Sequence, residues 1–276
     1  MNNPISLTRS GRNLLNLGAA LFLAFPLSLS SPSGVQASTS DLAAREAAWI
    51  AEAAYEGILK VSKETGELML QIPGAGRMDA LAVSGEEPGV LWAYGQNSLS
   101  AYSFKGELLL TLVVDALDDD SDDDESEEDD DETSPHLAVS QDRSVWLARG
   151  ARLHHFDAVG NGLHVISVGE SIEALSVDRE RNHLWVATKE RLEAYNALGE
   201  LTVSVTPGGD PEHRDIAYDP ALDALWVADR RTLRRYDAAD GAVLFSQELS
   251  EEISYLAPDF QGGVWIASED DDDDDE

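Results

Sequence analysis

Acidic and histidine side chains recur at similar distances ahead of tryptophans in this chain. Asp79, His136, Glu173 and Asp215 lie 13, 10, 12 and 11 residues before the next tryptophan, and His213 stands beside the last of them. Carboxylate oxygens suit hard divalent cations such as Ca²⁺, and imidazole is a common metal ligand. If the fold brings these positions together, we expect a metal site formed by Asp79, Glu173, His213 and Asp215.

The tryptophans themselves mark a repeat. Each follows a small or apolar residue and precedes an aliphatic or small one, usually with alanine next, at Trp49, Trp92, Trp146, Trp185, Trp226 and Trp265. The gaps between them are 43, 54, 39, 41 and 39 residues, and the longest contains an acidic insertion of about 17 residues. A period near 40 residues with one bulky landmark in each period is typical of a repeat fold.

Each repeat contains four short apolar stretches, named a to d here in chain order. Stretch b carries the tryptophan, and stretch c carries a leucine followed three residues later by an aromatic, as in Leu192 and Tyr195. A glycine follows stretch c in every copy, often after Asp or Asn, which is turn chemistry. Four antiparallel strands per 40 residues predict an all-β fold, a β-propeller of four-stranded blades over residues 46–268. We expect the tryptophans to be buried between neighbouring blades.

One repeat resembles a known family. The run from Asp215 to Gly241 reads DIAYDPALDALWVADRRTLRRYDAADG. It resembles the repeats of NHL-type propellers and is similar to those of gluconolactonase-like and virginiamycin B lyase-like propellers. The resemblance covers nearly all of the chain after residue 45 and implies the propeller fold. Its lactonase-like side also implies that a divalent ion held by Asp79, Glu173, His213 and Asp215 would polarise a carbonyl group of a substrate.

The number of blades stays open at this point. The first copy has stretches b, c and d, and the last has only a and b. The stretch near Tyr255 either completes the first blade, giving five blades with the last tryptophan stretch left over, or belongs to a sixth, incomplete blade. The segment around Trp49 is also rich in helix formers after Asp41, so a helix is the alternative to a strand there.

The first 37 residues have the features of a secretory signal peptide. Arg9 and Arg12 precede an apolar core from Leu14 to Leu29, and small residues precede Ser38. We therefore expect a secreted or periplasmic protein, with residues 38–45 as a linker and no membrane insertion after the signal is removed. The sequence contains no cysteine, so disulfides do not contribute to its stability.

The formal net charge of −34 is concentrated in two runs. Residues 115–132 include 14 acidic side chains, and all eight residues of 269–276 are acidic. Such runs repel themselves, so we expect a solvated insertion at 117–133 and a solvated tail at 269–276. The alternative interpretation is weak, multivalent binding of Ca²⁺ or of a cationic surface by these runs. The charge excludes nucleic acid and anionic lipid as favoured partners.

Other chemical signatures are few. The sequence has no Gly-x-Ser-x-Gly elbow, no His-Glu-x-x-His motif and no phosphate-binding loop. His154 and His155 are adjacent in stretch c and must point to opposite faces of a strand, while His164 can approach one of them across the hairpin.

The leading hypothesis is a secreted, monomeric, non-enzymatic propeller that acts as a binding or scaffold module. Its acidic face would bind a protein or a cation. The alternative is a metal-dependent enzyme of lactonase or lyase type that uses the axial carboxylates. A third is a repeat module of a longer polypeptide.

Overall fold

The computed structural model describes residues 47–52, 57–84, 89–114, 134–207, 213–259 and 261–268. Within these residues the regular secondary structure is entirely β, and the strands form six antiparallel sheets. No helix in this part of the chain is long and apolar enough to span a bilayer. The predicted all-β class is confirmed. The segments 1–37, 38–45, 117–133 and 269–276, for which a signal peptide, a linker, an insertion and a tail are predicted, lie outside the described residues.

The six sheets follow one another along the chain, and the strands within each sheet are neighbours in sequence. Sheet 1 has three strands, β1 (Ala47–Glu52), β2 (Gly57–Ser62) and β3 (Leu68–Ile72). Sheet 2 has four, β4 (Ala80–Val83), β5 (Val90–Gly95), β6 (Ser98–Ser103) and β7 (Leu108–Val113). Sheet 3 has four, β8 (His136–Val139), β9 (Val145–Arg149), β10 (Arg152–Phe156) and β11 (Gly162–Ser167).

The remaining sheets continue the pattern. Sheet 4 has β12 (Ile172–Asp178), β13 (His183–Thr188), β14 (Leu192–Tyr195) and β15 (Leu201–Val205). Sheet 5 has β16 (His213–Asp219), β17 (Ala224–Asp229), β18 (Thr232–Asp237) and β19 (Val243–Glu248). Sheet 6 has two strands, β20 (Tyr255–Pro258) and β21 (Val264–Ala267). The stretches a to d of the sequence repeat therefore correspond to the first to fourth strands of sheets 2 to 5.

Sheets 1 and 6 decide between alternatives that the sequence leaves open. Trp49 lies on strand β1, so the strand interpretation of its segment is confirmed. Strand β20 pairs with β21, and β1 pairs with β2. The stretch near Tyr255 thus opens a sixth sheet and does not complete the first one. The described part of sheet 1 consists of strands b, c and d, and that of sheet 6 consists of strands a and b.

The sequence repeat is also a repeat of strand register. The residue opposite each tryptophan on strand a is small: Ala82, Ala138, Ser176, Ala217 and Ala257 face Trp92, Trp146, Trp185, Trp226 and Trp265. A small neighbour leaves room for the indole ring on the same face of the sheet. Strand c is bulged against strand d at one recurring position, before Val61, Tyr102, Phe156, Tyr195 and Tyr236. Such a bulge increases the local twist of the strand.

Neighbouring sheets pack face to face, and a tryptophan fills each of the interfaces that follow sheets 2 to 5. Trp185 of sheet 4, for example, shares a buried cluster with Ile216 and Val227 of sheet 5. Trp92, Trp146, Trp185 and Trp226 are 0%, 1%, 0% and 5% exposed. The first strand of each sheet also lies against the first strand of the next. The predicted burial of these four tryptophans between successive sheets is confirmed.

In sheets 2 to 5, the glycine of the turn after strand c packs closely against the preceding sheet. Gly106, Gly160, Gly199 and Gly241 follow strand c and have positive φ. A Cβ atom at Gly241 would lie 2.3 Å from Cγ2 of Val205, on the last strand of sheet 4. The other three glycines approach the last strand of the preceding sheet in the same way. Glycine is thus needed both for the turn and for the close approach of two sheets.

Candidate functional site

The acidic and histidine residues that recur ahead of the tryptophans lie at or near the start of the first strand of their sheets. Asp79 precedes β4, and its Oδ1 lies 3.3 Å from Nε of Arg77. His136 opens β8, where burial lowers its pKa to about 4 and keeps the imidazole neutral at neutral pH. Glu173 lies in β12 at an irregularity of the ladder with β13, between Ile172 and Ala174.

Asp215 links sheets 5 and 6 by hydrogen bonds. Its Oδ1 accepts a hydrogen bond of 2.8 Å from the backbone N–H of Ile216, and its Oδ2 accepts one of 2.7 Å from the N–H of Leu256 in sheet 6. Burial raises its pKa to about 7, although the two amide donors act in the opposite direction. Both carboxylate oxygens are therefore engaged by the backbone.

His213 makes an equivalent connection to the preceding sheet. It is fully buried at the start of β16, and its Nδ1 lies 2.6 Å from the carbonyl oxygen of Thr188 in sheet 4. Because a carbonyl oxygen only accepts, Nδ1 carries the proton and Nε2 is the bare nitrogen of the neutral ring. Burial lowers the pKa of His213, while the hydrogen bond to Thr188 and the charge of Asp229 oppose this shift.

These positions are distributed over three sheets. Asp79 belongs to sheet 2, Glu173 to sheet 4, and His213 and Asp215 to sheet 5. In the described ranges, no group of three or more His, Asp or Glu side chains is arranged to hold a metal ion. The amide donors on both oxygens of Asp215 also leave it poorly suited to bind a cation. The Ca²⁺ site formed by Asp79, Glu173, His213 and Asp215 stays a prediction.

A polar network beside His213 is absent from the sequence-based set of candidates. His213 faces Asp229 across the β16–β17 ladder, and Asp229 forms an ion pair with Arg234. A cavity of about 340 Å³ at this hairpin is lined by Asp229, Arg230, Arg231, Thr232, Arg234 and Glu252. The adjacent arginines at positions 230 and 231 are the sequence signal for it. The cavity lining contains three arginines and two carboxylates, and one of these carboxylates, Asp229, already forms an ion pair with Arg234.

The histidines of sheet 3 form a second cluster. His155 stacks on Trp146 with ring centroids 3.6 Å apart and planes 3° apart, and the ring of His164 lies 5.7 Å away on its other side. His154 stacks instead with Phe156, so the two adjacent histidines occupy opposite faces as predicted. His155 is 1% exposed, and burial lowers its pKa to about 4. The stacked rings contribute to packing, and the ring of His155 in the middle of the stack can be protonated.

Sheets 4 and 5 are joined by further polar contacts. Arg181 donates to both carboxylate oxygens of Asp223, at 2.5 and 2.6 Å, and to Asp178 at 2.9 Å. The backbone N–H of Tyr218 donates to Oγ of Ser176 at 2.8 Å. Charged side chains at the sheet interfaces thus serve to align one sheet on the next.

The exposed surface that stands out is on sheet 6. Tyr255 and Trp265 lie on the same face and are 41% and 62% exposed. The acidic run 269–276 begins one residue after Ser268, close to the end of β21. An exposed aromatic surface is suited to a cationic ligand.

Comparison with known proteins gives no match: neither a protein-family model nor a curated protein matches this chain.

Proposed function

We propose that this protein is a non-enzymatic binding or scaffold module that acts outside the cytoplasm and binds a cationic protein partner through its acidic segments. The observation that carries the proposal is the distribution of charge. Of 53 acidic residues, 14 lie within residues 115–132 and eight within 269–276. Dense carboxylate runs attract cationic surfaces by steering and by local electrostatic attraction.

The interior of the protein supports a scaffold role. Asp215 and His213, two residues predicted to do chemistry, are used to hold neighbouring sheets through backbone hydrogen bonds. Arg181 joins sheets 4 and 5 through a side-chain ion pair with Asp223 and also pairs with Asp178 of its own sheet. Side chains that align repeats provide a rigid surface from which acidic segments can extend.

We further propose that the sheets are blades of a β-propeller with six positions and incomplete terminal blades, related to the NHL-type, gluconolactonase-like and virginiamycin B lyase-like repeats. The regular four-stranded sheets and the contacts between their first strands support this arrangement. The acidic segment 115–132 connects the last strand of sheet 2 with the first strand of sheet 3. In a propeller, it would extend from the end at which the first strands begin.

The metal-dependent enzyme is the weaker alternative. It needs several carboxylates and an imidazole around one ion, and this arrangement is not found among the described residues. A propeller that binds by charge needs no such convergence. The observed geometry therefore favours the binding role over the enzymatic one.

Binding to a cationic probe tests this proposal. We expect fluorescein-labelled polylysine to bind the wild-type protein with an affinity that falls steeply between 50 and 500 mM NaCl, because exposed charges are screened within about 8 Å at physiological ionic strength. Deleting residues 117–133 and truncating the chain after Ser268 should each weaken binding. The melting temperature is the control for folding, since shortening a solvated loop costs little. Unchanged affinity in the doubly shortened protein would refute the proposal.

A further inference from the structure

Three ring side chains form a row across strands β9, β10 and β11 of sheet 3. His155 lies opposite Trp146 on one neighbouring strand and opposite His164 on the other, so all three side chains project from the same face of the sheet. The ring of His155 stacks on the indole of Trp146, and the ring centroid of His164 lies 5.7 Å from that of His155. The pairing of β10 with β11 therefore places two imidazole rings side by side.

The ring nitrogens of His155 are buried and unused. The residue is 1% exposed, and neither Nδ1 nor Nε2 has a hydrogen-bond partner in the described part of the chain. His213 is equally buried, but its Nδ1 bonds to the carbonyl oxygen of Thr188. Buried polar atoms are nearly always partnered, and one that lacks a protein partner indicates that water or an ion meets its bonding capacity. The ring of His155 is thus a candidate ligand.

The His155 ring is in the protonation state that binds metal ions. Burial lowers its pKa to about 4, so the ring is neutral at neutral pH and one nitrogen carries a lone pair for coordination. The charge of His164 acts in the same direction on this pKa, whereas the charges of Asp142 and Asp157 oppose it. The two carboxylates therefore favour a positive charge at the ring, which a metal ion supplies without a proton.

The distance between the two imidazoles allows both to bind one ion. A metal–nitrogen bond to histidine is about 2.0–2.1 Å long and a ring nitrogen lies about 1.1 Å from its centroid, so two rings on one ion have centroids at most about 6.4 Å apart. The observed separation is 5.7 Å, with planes 24° apart. Trp146 holds the His155 ring, whereas His164 is half-buried and its ring can rotate to direct a nitrogen at the ion.

The ligand atoms determine which metal ions the pair selects. Imidazole suits Cu²⁺, Zn²⁺ and Ni²⁺, whereas Ca²⁺ and Mg²⁺ take oxygen ligands. The nearby carboxylates are engaged in their own turns: Oδ1 of Asp142 accepts from Oγ of Ser144 at 2.6 Å, and Oδ1 of Asp157 accepts from the N–H of Asn161 at 2.8 Å. No third ligand joins the two histidines among the described residues, so water must complete the coordination.

We propose that His155 and His164 form a binding site for a divalent transition-metal ion between strands β10 and β11. One nitrogen of each ring binds the ion, and Trp146 holds the His155 ring in position by stacking. Cu²⁺ should bind most tightly, since it stands highest in the order of divalent metal affinities. The site does not involve the acidic segments on which the proposed function depends, so the two proposals are tested separately.

A calorimetric titration with Cu²⁺ tests the site. The protein is first freed of metal with EDTA and then titrated in a glycine buffer that competes with weak sites, with excess Ca²⁺ to occupy exposed carboxylates. We expect a single Cu²⁺ site per chain. His155→Phe and His164→Gln should each weaken it about tenfold or more, because even changes beyond the ligands of a metal alter its affinity by about 10–100-fold. Electron paramagnetic resonance should show coupling to two nitrogens in the wild type and to fewer in either variant.

His183→Gln is the matched control for His164→Gln. His183 is also a half-buried strand histidine, in β13 of sheet 4, and within the described ranges its Nδ1 has no hydrogen-bond partner. The substitution there should leave both the Cu²⁺ affinity and the nitrogen coupling unchanged. Urea denaturation shows whether each variant is folded, and His164→Gln keeps the test decisive if the buried His155→Phe is unstable.

Three results would overturn the inference. One is equal Cu²⁺ affinity for the wild type and His164→Gln, and another is a wild-type complex without nitrogen coupling, since the ion would then be bound by carboxylates. The third is an equal loss of affinity in His164→Gln and His183→Gln. Polylysine binding is unaffected by any of these outcomes, so the proposed function is judged by its own experiment.

Discussion

At the scale of single residues, polar side chains in this protein act mainly by position between sheets. His213 and Asp215 are only two residues apart on β16, yet His213 binds the preceding sheet and Asp215 binds the following one. The bulge in the β16–β17 ladder between them accompanies this divergence. The sequence identifies both residues as unusual, but it cannot show that their partners are backbone groups of two different sheets.

His155 should make stability depend on pH. Burial lowers its pKa to about 4, against an ordinary value of 6.5 that applies to the unfolded chain. Between these values the unfolded state binds a proton that the folded state does not, so the contribution of His155 to stability is lost as the pH falls from about 6.5 to 4. Asp142 and Asp157 oppose the lowering of its pKa, and His164 adds to it.

His155→Phe tests this dependence. Phenylalanine keeps an aromatic ring against Trp146 but cannot be protonated. We expect the free energy of unfolding of the variant, relative to wild type, to be larger at pH 4.5 than at pH 7.5 by about 2–3 kcal/mol. Urea denaturation at both pH values measures it, and His136 contributes equally to both proteins. An identical difference at the two pH values would contradict the assignment.

At the scale of elements, the hairpin between the third and fourth strands joins one sheet to the next. Its glycine is predictable from the sequence, because Asp or Asn followed by Gly indicates a turn. Its contact with the preceding sheet is not predictable, since no local pattern shows which strand lies across the interface. Sheet 1 provides a natural comparison, because Gly66 has positive φ with no atom within 4 Å of a built Cβ.

Gly241→Ala and Gly66→Ala form a matched pair. The φ values of 74° and 69° are similar, so alanine costs both turns a similar backbone strain of about 1 kcal/mol. At position 241 the new methyl group must also displace Val205, which adds about 1–3 kcal/mol of overpacking. We expect the Gly241 variant to lose clearly more stability in urea denaturation. Equal losses would mean that this turn does not lock the two sheets.

At the scale of the whole molecule, the repeat is predictable from the sequence. The tryptophan period gives the strands and the buried landmarks, because one sheet follows another with the same register. The pairing of β20 with β21 depends on which of two possible partners the strand meets, and strand propensity does not distinguish them. The metal site depends on convergence around an axis and stays a prediction, and the observed contacts of Asp215 and His213 run between successive sheets.

Tryptophans at equivalent positions of the repeat should contribute differently to the stability of the protein. A tryptophan between two described sheets is covered by the next sheet, whereas the tryptophan of sheet 6 is largely exposed. Trp185 is fully buried among residues of sheets 4 and 5, while Trp265 is 62% exposed. Comparing these two tryptophans thus measures how much packing between sheets contributes to stability.

The most direct test of this account is to compare Trp185→Ala with Trp265→Ala in urea denaturation. We expect the first to cost about 3–5 kcal/mol, because it removes a buried aromatic and leaves a cavity between two sheets. The second should cost less than about 1 kcal/mol, as for an exposed surface residue. Similar costs for the two variants would contradict the central claim that successive sheets stack on their buried tryptophans, whereas Trp265 is largely exposed.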